Sequence, residues 1–149
     1  MKLRGTPIEE YEDVIEDLEI IGYSRIVDNE IEITEEWVSA FMDIIPLYVS
    51  YKVVTLGADR AREEMAREST VDILTDIALH LASGQIIGER VVRGVRGIRA
   101  TYFEKEYIRK LGDVCYNMVI NMPPDMFQEA VDRLNRALMP LGIKKEERR

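Results

Sequence analysis

Four arginines recur at every third position of the stretch "RVVRGVRGIR": Arg90, Arg93, Arg96 and Arg99. Guanidinium groups hold anions, and the planar fork of arginine suits carboxylates and phosphates gripped through two hydrogen bonds at once. Three anions compete for that role: a nucleic-acid backbone, a small ligand, and carboxylates on this chain or a second copy of it. The charge distribution favours the last. The chain carries a formal net charge of −8, a field that repels a polyanion at long range. Residues 1–47 hold three basic and thirteen acidic side chains, so the first third supplies the carboxylates. Glu9, Asp13, Glu16 and Asp17 on its first helix are the expected counter-face, within one subunit or across a homodimer.

Other residue types that could do chemistry are sparse. Asp72, Asp76 and His80 stand at i, i+4 and i+8 of one helix, close enough to share a metal ion. Aspartate near a helix start and histidine near its end also suit the helix dipole, and no second histidine exists to complete a bundle site. No metal is therefore expected. Asn117 and Asn121, one turn apart in an otherwise apolar segment, read as a buried polar pair that fixes helix register, selects a partner or lines a ligand pocket. Cys115 falls on an apolar stripe, where burial makes a thiol inert. No nucleophile elbow, Walker loop or dinucleotide glycine pattern is present. The expectation is a non-catalytic protein without cofactor that self-associates, its arginine face meeting acidic surface. A nucleic-acid-associated regulator and a small anionic ligand binder are the alternatives.

The nucleic-acid alternative has one further support. "DLEIIGYSRIVDNEIEITEEW" resembles the back half of a winged-helix DNA-binding domain: a helix ending in Leu-Glu-x-x-Gly-Tyr, a hairpin, then Ile-Thr-Glu-Glu opening the next helix. The resemblance implies residues 24–33 as the wing and the arginines as phosphate contacts. The helix ahead of that hairpin carries seven carboxylates and no Lys or Arg, which departs from a DNA-reading pattern.

The elements that must position these residues follow from periodicity. Thr6, Pro7 and Glu9 form a helix start, and Ile8, Tyr11, Val14, Ile15, Leu18 and Ile21 give a stripe over 7–21 that Gly22 closes. Asp28-Asn29 is hairpin chemistry between Ile26 and Ile31. Thr34 caps a helix that should stop or kink at Pro46. Residues 59–68 read as a solvated helix with Arg60–Glu64 and Glu63–Arg67 pairs. Ser69 opens a helix whose apolar stripe runs from Val71 to Gly84. The arginine segment reads as a helix with Ile87, Val91, Val92, Val95, Ile98 and Tyr102 on one arc. Residues 108–122 keep the helical spacing, and "PPDMFQEAVDRLNRAL" is a helix from 124 to 138. The fold class is mainly α, an irregular bundle of five to six helices with a small N-terminal hairpin. The alternative is an α+β sandwich with strands at 47–56, 90–103 and 113–122. Residues 1–46 form an acidic helix–hairpin–helix segment and 47–149 a helical core, within one compact domain.

Composition adds context. No uncharged run nears the roughly 18 residues of a membrane span, and no apolar segment follows the first residues as in a signal. With a lone cysteine, a cytoplasmic location and no membrane partner are expected. Fourteen Arg against six Lys and few amides lean toward a heat-tolerant composition, while seven Met lean away from it.

Overall fold

A computed structural model describes residues 1–92 and 105–145. Three strands, β1 (Lys2–Leu3), β2 (Ser24–Val27) and β3 (Glu30–Ile33), form an N-terminal antiparallel sheet in the order β1-β3-β2. Six α-helices follow the chain: α1 (Glu12–Ile20), α2 (Glu35–Leu56), α3 (Ala58–Arg67), α4 (Thr70–Val92), α5 (Lys105–Ile120) and α6 (Pro124–Leu138). The fold is mainly α, as periodicity predicts. The sandwich alternative is overturned, since residues 47–56 complete α2 and 113–120 lie in α5. Residues 93–103 of the arginine segment lie outside the described residues.

Local chemistry explains most boundaries. Asp28 and Asn29 both take positive φ, the two-residue turn that matches strand twist, and set the register Val27↔Glu30 to Ser24↔Ile33. Gly22 closes α1 with φ 82°, its N–H bonding Glu19 O while the Tyr23 N–H reaches Leu18 O, the paired C-terminal motif that needs a left-handed residue. The start of α1 differs from the expected helix at 7. Residues Ile8–Glu10 form a 3-10 turn and α1 begins at Glu12, because the Thr6 hydroxyl accepts from Asn117 Nδ2 at 2.8 Å and caps nothing. Thr34 does cap, accepting from the Trp37 N–H at 3.4 Å while donating to Gly22 O at 2.6 Å.

At Pro46 the helix does not stop. The proline's missing N–H orphans the Met42 carbonyl, normally enough to stop a helix at a cost of about 3 kcal/mol. Here Arg133 of α6 donates Nη1 to that carbonyl at 3.3 Å, and α2 runs unbroken to Leu56. Arg133 also reaches Glu129 at 3.2 Å and Asp43 at 3.8 Å. Above the proline, α2 buries Trp37 and Phe41, stacked at 4.8 Å between centroids, at the centre of one hydrophobic core shared by all six helices.

The remaining helices add to that core. In α3, Glu64 pairs with Lys52 at 3.4 Å and Arg62 with Asp59 at 3.1 Å, in place of the expected Arg60–Glu64 and Glu63–Arg67 pairs. The Asp72 N–H meets the Ser69 hydroxyl at 3.1 Å, and α4 continues past Gly84 with Ile86 buried. In α5, Leu111, Val114, Cys115, Met118 and Val119 are buried, and α6 buries Phe127, Val131, Leu134 and Leu138. By length and composition α2 could cross a membrane. It carries Asp43 and Lys52 and packs Trp37, Phe41, Met42, Ile45, Tyr48 and Val49 inward, while 28% of its apolar window is buried.

If the guanidinium repairs the proline break, Arg133→Leu should destabilise the protein by about 1–3 kcal/mol, the cost of an unsatisfied buried carbonyl. In a Pro46→Ala background, which restores the helical N–H, the cost should shrink measurably in chemical denaturation. An equal loss in both backgrounds would contradict the repair.

Candidate interaction surface

The expected anion-holding arginines are only partly in view. Arg90 lies in the last turn of α4, and Arg93, Arg96 and Arg99 lie outside the described residues. Their expected counter-face is in view, and much of it is already engaged by α5. Asp13 pairs with Lys110 at 2.7 Å. Partial burial opposes its charge, but hydrogen bonds from Lys110 and the Val14 N–H prevail and hold it below the usual aspartate range. Asp17 is buried and accepts from the Tyr107 hydroxyl at 2.5 Å. Glu9 and Glu16 stay exposed, and with Glu12 they line a shallow acidic hollow beside Lys110. Beside it, Tyr11 donates to Asp113 at 3.1 Å and Arg109 binds both Asp113 (2.9 Å) and Glu106 (2.6 Å).

The asparagine pair is half-buried rather than buried, and its amides serve the chain's own N-terminus. Asn117 Nδ2 donates to Gly5 O at 3.1 Å and to the Thr6 hydroxyl. Asn121 Nδ2 donates to Arg4 O at 3.1 Å and to Asn117 O at 2.7 Å, while its Oδ1 accepts from the Arg4 N–H at 3.3 Å. Asn121 thus grips both backbone groups of one residue, as a neighbouring strand would. Gly5, at φ 84°, lets the backbone turn beneath Asn117. The pair ties two distant segments of one chain together.

The metal candidates do not converge. His80 Nδ1 sits 2.9 Å from the Asp76 carbonyl, Asp72 is exposed, and no group of three ligating side chains forms among the described residues. Burial first, then the charge of nearby Asp76, raises the Glu68 carboxyl above the usual glutamate range. Cys115 is fully buried, and desolvation pushes its thiol up to about 12, so it stays protonated and inert as expected.

A feature that residue spacing left unread lies on α2. Leu47, Tyr51 and Val54 are 66%, 53% and 84% exposed and fall on one helix face. Pro46, Ser50 and Thr55 are exposed beside them, so every exposed position from 46 to 55 is uncharged. The stripe borders α4: the Tyr51 and His80 rings are 6.1 Å apart, and Gly84, Ile87 and Gly88 are exposed further along α4. In a chain that is 32% charged, this is a dry patch by composition. No family model, curated protein or solved structure matches the chain.

Asn121→Ala should loosen the N-terminal segment at about 1–3 kcal/mol. The Ile33 amide, which donates to Met1 O at 2.7 Å, should then exchange with deuterium faster, because β1 leaves the sheet with the clamp. Lower stability with unchanged Ile33 protection would contradict the clamp.

Proposed function

We propose that this protein is a non-catalytic interaction module that pairs with a second copy of itself along α2. The observation that carries this reading is the uncharged stripe Leu47–Tyr51–Val54. A charged partner finds nothing to pair with there. A second copy offers the same bare face, and a two-fold axis lets one helix stripe pack on its own image. Spacings of four and three residues are those of a helix–helix seam. The stripe spans about 10 Å at 1.5 Å rise per residue, and burying each of its side chains contributes about 1.5–3 kcal/mol. A stable dimer buries about 800 Å² on each side, so the exposed α4 positions Gly84, Ile87 and Gly88 complete the face. Their lack of large side chains at 84 and 88 permits close approach.

The acidic hollow fits the same reading. Glu9, Glu12 and Glu16 remain exposed around one neutralised Lys110, and the arginines at 90, 93, 96 and 99 are the cations with which a second copy would meet them. Their number favours protein carboxylates over a phosphate backbone, because the surrounding field is negative.

Light scattering on eluted peaks tests this. The wild-type chain should be dimeric at about 100 µM and dissociate on dilution, as mass action requires. Leu47→Glu and Val54→Glu should each give a folded monomer. A wild-type monomer at that concentration, or a dimer indifferent to both substitutions, would overturn the proposal.

A further inference from the structure

After α6 the chain doubles back. A 3-10 turn at Met139–Leu141 leads to Gly142, whose φ of 72° is the left-handed conformation that reverses a helix end, with its N–H on Met139 O and the Ile143 N–H on Leu138 O. The returning segment is tied down by three side chains. Asn135 holds both backbone groups of Lys145, donating Nδ2 to its carbonyl at 2.9 Å and accepting from its N–H at 2.6 Å. Lys145 Nζ donates to the carbonyls of Glu68 (2.5 Å) and Ala66 (3.1 Å) at the end of α3, and Arg62 Nε donates to Leu141 O at 2.9 Å.

Between this segment and the last turns of α6 lies an open cleft of about 960 Å³, within the range of small-molecule sites. Its charge is opposite to that of the molecule. Arg136, Lys144 and Lys145 line it against one carboxylate, Asp132, on a chain of net charge −8. Lys145 is committed to α3, but Arg136 and Lys144 are exposed and their side chains have no hydrogen bond or ion pair among the described residues. Helical spacing offers Arg136 a partner in Asp132, four positions earlier, yet Asp132 accepts from the Gln128 amide at 2.9 Å instead. On the same cleft Met139 is 70% exposed and Ile143 half-buried.

Two unpaired cations beside bare apolar side chains, on walls already held in place, are the parts of a site for a molecule with a charged head and an apolar body. We propose that this cleft binds a small amphipathic anion, its carboxylate or phosphate head met by Arg136 and Lys144 and its apolar body lying on Met139 and Ile143. The guanidinium grips either head through two hydrogen bonds, and the ammonium adds a point charge. A bare inorganic anion leaves Met139 uncovered, and an uncharged apolar molecule leaves both cations unmet, so the site selects for both parts together. Because the walls are tied before the ligand arrives, little ordering opposes binding. The cleft shares no lining residue with the α2 stripe, so the site stands apart from the proposed self-association.

Decanoate and monodecyl phosphate, titrated into the full chain and followed by amide and methionine-methyl NMR, test this. At least one should saturate in the millimolar range or below and shift the Asn135, Gly142 and Lys144 amides together with the Met139 methyl, and the tighter of the two identifies the head. Inorganic phosphate and decanol, which carry one part each, should bind far more weakly. Arg136→Glu and Lys144→Glu should each weaken the better probe by about tenfold, the worth of one charge-assisted hydrogen bond. The fold should be retained in both, since neither side chain holds a polar partner. No saturable shift at the cleft, shifts confined to Leu47, Tyr51 and Val54, or binding indifferent to both charge reversals would overturn the proposal. Inorganic phosphate binding as tightly as its decyl ester would also overturn it. A monomeric chain serves the test as well as a dimer.

Discussion

A proline at position 46 removes the amide that would have satisfied Met42, and a guanidinium from another helix, Arg133, restores the missing hydrogen bond at 3.3 Å. Most of the architecture leans on that substitution of partners. Because α2 does not break, its first half can bury Trp37, Phe41 and Ile45 in the core while its second half remains helical to Leu56. There Tyr48 and Val49 turn inward, and Leu47, Tyr51 and Val54 are left outside. A break at 46 would have freed residues 47–56 to fold down as a separate element. The same contact ties α6 to α2, so the C-terminal part of the chain is fastened through the residue that keeps the helix whole.

The charges are partitioned around this spine. The acidic α1 is engaged by α5, where Lys110 pairs with Asp13 and the Tyr107 hydroxyl donates to Asp17. On α3, Glu64 is met by Lys52 of α2. What remains bare on the outer side of α2 is uncharged, and what remains bare on α1 is acidic.

Periodicity made most helices legible because each has one strongly apolar face: Val14, Ile15 and Leu18 on α1, or Phe127, Val131 and Leu134 on α6. The hairpin was legible because Asp-Asn at a two-residue turn is chemistry that few other conformations use. The strand β1 was not, since two residues have no period and their place is held by Asn117 and Asn121 more than a hundred positions away. Residues 47–56 read equally as strand or helix because their exposed positions are uncharged as well, so no charged face marked the helical period. That same ambiguity hid the exposed uncharged stripe. Long-range partners were invisible for a simpler reason: nothing in the spacing around Pro46 points to Arg133, and nothing around Thr6 points to Asn117.

Disulfide trapping reports most directly on α2 as a helix with one bare, self-facing stripe. Ser50 lies amid that stripe, and the native Cys115 is buried and protonated, so it does not compete. A cysteine at Ser50 should form a symmetric disulfide dimer under mild oxidation, while a cysteine at Glu12, on the acidic face, should remain monomeric. Equal trapping at both positions, or none at 50, would contradict the assignment of that face.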